Sequence, residues 1–154
     1  MRHPISTSYI TPIKSDGTEQ VASASEFGRG TFTLAAGTYY YPLGGQDSPV
    51  QSCHFQWDAT IAITSITVED CNMPESEVPN YSTVAGAWID EDPSTAFVGT
   101  VGAGTTVTNG VVAHTAGAAG GCMFHIADTG ARRTRLAVVV GTEGDIRCSA
   151  WGKE

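Results

Sequence analysis

Lysine is almost missing from this chain, with two in 154 residues, and no Lys or Arg at all stands between Arg29 and Arg132. A surface without basic side chains has nothing to hold a phosphate backbone, and the net charge of −8 with a pI near 4.8 turns such a backbone away. Nucleic acid is therefore excluded as an expected partner. Long apolar runs are missing too. The longest aliphatic stretch is Leu136-Ala137-Val138-Val139-Val140, against the roughly 20 apolar residues that a spanning helix needs. Met1-Arg2-His3-Pro4-Ile5-Ser6 lacks the apolar stretch of a secretory leader, so synthesis in the cytosol is the expectation. No Gly-x-Ser-x-Gly elbow occurs, and the twelve serines offer no marked nucleophile. The chain is expected to be no enzyme, with no catalytic residues and no cofactor.

Glycine, threonine and serine fill 49 of the 154 positions, while charged residues make up only 16%. Thr and Gly form helices poorly, and the Lys, Glu and Leu that coat helical faces are scarce, so an all-β domain is expected. Short β-rich segments alternate with turn signals from Thr31 onward. They predict strands at 31–35, 38–43, 50–58, 60–68, 84–89, 96–101, 105–108, 111–114, 122–127, 133–140 and 145–151. Asn109-Gly110 is the clearest two-residue hairpin turn, and Thr142-Glu143-Gly144 offers another. Ile61 and Ile63 have one parity, Ile66 and Val68 the other, which calls for a bulge or for two covered faces. Residues 71–82 read as a long surface loop.

Residues 1–30 show no apolar period and carry many Ser, Thr, Gly and Pro, so they read as an extended N-terminal arm, with one β-sandwich domain over 31–154. Cys53-His54, Cys71 and Cys122-Met123-Phe124-His125 invite a zinc reading. Strand alternation counts against it, because neighbours and residues three apart point to opposite faces. Buried free thiols are expected instead. Asp90-Glu91-Asp92 reads as a charge cluster at a strand edge, without a calcium-loop pattern. Trp57 and Trp88 lie in apolar strand patterns and read as core rather than as a sugar-stacking platform.

Two groups are expected at an interface. Arg132, Arg133 and Arg135 crowd three guanidinium groups into four positions, while ten carboxylates from Asp47 to Asp128 offer acceptors in excess. In Tyr39-Tyr40-Tyr41 the outer two share a face, and Tyr39 and Tyr41 are the expected contacts.

Four stretches carry a family resemblance. They are Phe55-Gln56-Trp57-Asp58-Ala59 with the Thr/Ile strand after it; Gly86-Ala87-Trp88-Ile89 with Pro93-Ser94-Thr95-Ala96-Phe97-Val98; Gly117-Ala118-Ala119-Gly120-Gly121; and Gly130-Ala131-Arg132-Arg133-Thr134-Arg135-Leu136. Over about residues 45 to 154 the chain resembles virion structural proteins of tailed bacteriophages. The resemblance implies an antiparallel β-sandwich of jelly-roll type, made in the host bacterial cytoplasm and placed on the capsid exterior. There it would act as a noncatalytic decoration (cement) protein that stabilises the shell. Its implied partners are the major capsid protein and further copies of itself, a trimer being favoured, with no nucleic acid and no membrane. The alternative is a fibre-tip module that binds a receptor or glycan.

Overall fold

The computed structural model describes residues 4–23, 27–45, 50–90, 97–126 and 131–153, and all of their regular structure is strand. In chain order the strands are β1 (Pro4–Tyr9), β2 (Ile13–Lys14), β3 (Phe32–Leu34), β4 (Gly37–Gly45), β5 (Val50–Trp57), β6 (Ala62–Cys71) and β7 (Ile89–Asp90). Then come β8 (Phe97–Val101), β9 (Thr105–Thr108), β10 (Val111–His114), β11 (Gly120–His125), β12 (Arg133–Thr142) and β13 (Gly144–Lys153).

They form two antiparallel sheets. One runs β1-β13-β5-β11-β8, with β3 also on β13; the other runs β2-β4-β12-β6-β10-β9, with β7 also on β6. From β4 to β6, and again from β10 to β13, each strand lies in the sheet opposite to its predecessor. The apolar side chains of both sheets meet in one core that includes Tyr41, Phe55, Trp57, Phe124, Leu136 and Ile146. Tyr41 and Phe124 each set an edge toward Phe55, at centroid separations of 5.2 and 6.4 Å. Both are favoured aromatic geometries that add to the buried area; the Tyr41 pair joins the two sheets, while Phe55 and Phe124 stand on neighbouring strands of one. The all-β sandwich expected from composition is the fold observed.

Local chemistry explains the details. Asn109 and Gly110 both have positive φ, 49° and 73°, and make the β9–β10 hairpin turn. The β12 pairing passes from Val139↔Ser65 to Val140↔Ile63 and skips Thr64. That bulge is how Ile61, Ile63, Ile66 and Val68 all reach the core despite their mixed parity. Asp58 Oδ1 accepts from the main-chain N–H of Thr60 and of Ile61, both at 3.1 Å, and fixes the turn between β5 and β6.

Two expectations need correction. Thr142-Glu143-Gly144 is no hairpin, because β12 and β13 lie in different sheets and the chain turns a corner there. A Cβ on Gly144 would sit 2.5 Å from the Ile61 nitrogen, so the corner admits no side chain. Residues 84–89 are not a strand either. Turns occupy 85–87 and only Ile89 enters β7, since Gly86 takes φ 80° and Trp88 turns inward. Ala96 and Ala127, expected at strand ends, lie outside the described residues.

The N-terminal segment is extended, yet it is laid along both sheets. β1 pairs with β13 from Pro4↔Lys153 to Tyr9↔Ser149, and β2 pairs with β4 at Ile13↔Tyr40 and Lys14↔Tyr39. Ile10 N–H donates to Cys148 C=O at 2.9 Å, and Ile10 packs on the core. Arg147 holds this region from outside. Its Nε donates to Gln56 Oε1 at 2.6 Å, an Nη donates to Phe27 C=O at 2.8 Å, and the guanidinium lies 5.0 Å from the Tyr9 ring centroid.

Candidate interaction site

Residues 72–88 leave β6 and return at β7 with no regular strand of their own. A loop this long needs partners for its main-chain polar groups. Two arginines of β12 supply them. Arg133 donates from Nε and an Nη to Met73 C=O at 3.2 and 3.0 Å, from an Nη to Asn80 Oδ1 at 3.0 Å, and also to Val78 C=O. Arg135 donates to Asn80 C=O at 2.7 Å. Guanidinium suits this work because its donors form a rigid planar fork that can serve several carbonyls at once.

Aromatic faces complete the clamp. The Arg135 guanidinium lies 3.7 Å from the Tyr40 ring centroid and 4.3 Å from that of Trp88, and Arg133 lies 5.0 Å from Trp88. Trp88 in turn donates from Nε1 to Pro79 C=O at 3.4 Å. With Cys71, Ala87 and Val78 it forms a second small core beneath the loop. Glu69 sits directly across from Arg135 on one side and from Asp90 on the other. Burial pushes the Glu69 carboxyl up despite Arg135, which pulls it down, and Asp90 adds to the rise.

Each residue expected at an interface has a definite place. Arg135 is 3% exposed, and its acceptors and those of Arg133 lie within the chain. The acceptors that Arg133 and Arg135 need are supplied by loop carbonyls, the Asn80 side chain and Glu69. Arg132 is exposed, and its main-chain N–H donates to Asn72 Oδ1 at 2.9 Å. Tyr39 and Tyr41 are corrected outright. They are 1% and 0% exposed and point into the core, while Tyr40 faces out and carries Arg135. The alternation was right and the side facing outward was the other one.

The four cysteines are buried free thiols, as expected. Cys53 and Cys122 point inward while His54 and His125 are exposed on the other face, so neither Cys53 with His54 nor Cys122 with His125 converges. Burial, with Cys53 close by, pushes the Cys122 and Cys148 thiols well above their ordinary value. Trp57 and Trp88 are buried, in keeping with core roles. Glu91 and Asp92 lie outside the described residues.

The clamped loop presents Met73, Tyr81 and Val84 to solvent, followed by Ile89, with Glu75, Glu77 and Asp90 exposed among them. Val84 is 72% exposed. Exposed apolar side chains held in fixed positions and rimmed by carboxylates make a surface suited to docking. The sequence marks the loop by Pro74, Pro79 and its acids, but nothing in it marks Asn80, Trp88, Tyr40 and Glu69 as one constellation. Comparison with protein-family models, with curated proteins and with solved structures finds no match to this chain.

Proposed function

We propose that this protein is a noncatalytic virion component that decorates and stabilises a capsid, binding the major capsid protein through the surface of loop 72–89. The observation that carries the proposal is the clamp. Arg133 and Arg135 hold a loop that turns Met73, Tyr81 and Val84 outward among exposed acids, and a pre-ordered loop binds with little further loss of entropy. The interleaved strand order, β4, β12, β6 and β10 facing β13, β5 and β11, supports the jelly-roll reading of the sandwich. The aromatics also favour attachment over glycan stacking. Trp57, Trp88, Tyr39, Tyr40 and Tyr41 are all buried, and exposed Tyr81 and Trp151 belong to a loop beside one sheet and a strand of the other.

A subunit that binds the assembled lattice and not its separated parts stabilises that lattice by mass action, by about 2.7 kcal/mol per site at a hundred times the dissociation constant. The test is to heat or osmotically shock particles that lack the protein and particles saturated with it or with Val84→Glu. Saturated particles should rupture later, and Val84→Glu should remove the gain. Equal thresholds with and without the protein overturn the proposal in favour of the fibre-tip reading.

A further inference from the structure

The two sheets end on the same flank of the sandwich. β8 closes one sheet with only β11 beside it, and β9 closes the other with only β10 beside it, among the described residues. A turn of three residues, 102–104, joins these two edge strands. Thr100, Val101, Ala103, Thr106, Val107 and Thr108 are exposed along them, Val101 at 67%. An edge strand carries unpaired N–H and C=O groups, and proteins usually block it with Lys, Pro, an inward charge or a covering segment. β8 and β9 contain no Pro and no charged residue.

The neutrality extends well past the two strands. From Pro93 to Ala127 the chain has no Asp, Glu, Lys or Arg. The flank that carries β2 differs, with Lys14 in the strand and Asp16 and Glu19 just after it. On a chain of net charge −8 two copies repel one another over most approaches. The β8–β9 flank is where they can meet without setting carboxylate against carboxylate, and it is also where, among the described residues, the outer edges of two strands have no strand partner.

We propose that the β8–β9 flank is a self-association surface, and that its occupant is the same flank of a second copy. Neutral meets neutral and open edge meets open edge, so the contact is two-fold and self-complementary. Main-chain pairing across the axis supplies the hydrogen bonds, and Val101 and Val107 supply apolar area. The inference goes beyond the functional reading, gives a two-fold pair in place of the trimer that the resemblance favours, and leaves the capsid-binding loop out of the contact. The two fail separately: loss of the flank contact removes the dimer, whereas loss of the loop surface removes particle binding by either state.

Sedimentation of the full chain from micromolar to millimolar concentration should show a species of twice 16.1 kDa. Thr106 is exposed, so charged substitutions there leave the fold intact, which a cooperative melt will verify. Thr106→Glu and Thr106→Lys should each weaken the dimer by about 100-fold, because the uncharged flank offers neither sign a counter-charge and the added charge loses its water. If Lys instead tightens association, the flank meets an acidic face of its neighbour and the two-fold contact is wrong. A chain that stays monomeric throughout, or a dimer indifferent to both charges, overturns the proposal.

Discussion

Arg135 Nε donates to Glu69 Oε1 at 2.8 Å, with the two side chains 3% and 16% exposed, and the Glu69 carboxyl is nonetheless raised above its ordinary 4.5. Burial and the neighbouring Asp90 outweigh the attraction of the arginine. The ion pair therefore holds the loop in position without adding to stability at neutral pH in the usual way.

The pH dependence has a definite sign. A carboxyl raised in the folded chain binds its proton more tightly there than in the unfolded chain, so this group favours folding increasingly as pH falls from neutral toward 4.5. Glu69→Gln, which retains an acceptor for Arg135, should flatten that part of the profile. Glu69→Ala leaves a buried guanidinium without its carboxylate and should cost about 3 kcal/mol. Thermal melts between pH 7 and 5 will check both; a parent protein that loses stability over this range while Glu69→Gln does not would contradict the sign.

Arg133→Ala should free the loop without melting the sandwich. Main-chain carbonyls at Met73 and Val78 would lose their donor, a loss of roughly 2–3 kcal/mol confined to that region. Amide exchange and limited proteolysis should speed up across 73–84, while strands β5, β12 and β13 keep their protection. Arg135→Lys should act in the same direction, because an ammonium cannot lie flat between Tyr40 and Trp88.

Deleting residues 1–14 should lower the melting midpoint by about 5 °C or more and promote aggregation. The deletion strips β1 from β13 and β2 from β4, leaving two newly open edges. An unchanged midpoint and a monomeric product would mean that the segment contributes nothing to the sandwich.

The thiols should ignore alkylating reagent until the protein unfolds. Burial raises Cys122 and Cys148 far above the ordinary 9.0, so few thiolates are present, and those are covered. As pH climbs past 9 the unfolded chain ionises and the folded chain does not, which lowers stability; Tyr41, likewise pushed up by burial, adds to this loss. Labelling rates should follow global unfolding as denaturant is added. Rapid labelling of native protein at neutral pH would contradict the burial.

Gly144→Ala should destabilise the corner by about 2 kcal/mol or more, because its Cβ would meet the main chain of Ile61 rather than a yielding side-chain tip. Denaturant melts will measure it, and Gly99→Ala provides a control at an ordinary backbone conformation where no heavy atom lies within 4 Å of the added carbon.

Much of the sandwich was legible because side-chain patterning specifies it. Asn109-Gly110 marks its turn, and Ile66 with Val68 opposes Ile61 with Ile63 clearly enough to call for a bulge or for two covered faces. What escaped reading depends on main-chain acceptors, which every residue carries alike. β1 pairs through its main chain on an edge, so Pro4 to Tyr9 need no apolar alternation. Arg133 is satisfied chiefly by the carbonyls of Met73 and Val78 and by the Asn80 side chain, and nothing about those positions singles them out. The faces of Tyr39 and Tyr40 were separable from sequence, but which of them met the core depended on the direction from which β4 enters its sheet.

The pairing of β1 with β13 joins the first described strand to the last. During synthesis β1 emerges long before its partner exists, and β5 waits equally for β13. Closure of that sheet is therefore a late event, reached only after β13 has left the ribosome, and contacts between such distant segments form slowly. Refolding from denaturant should take milliseconds to seconds rather than microseconds, with exposed strand edges standing open in the interval. Chains truncated before β13 should accumulate as aggregates instead of as smaller folded domains.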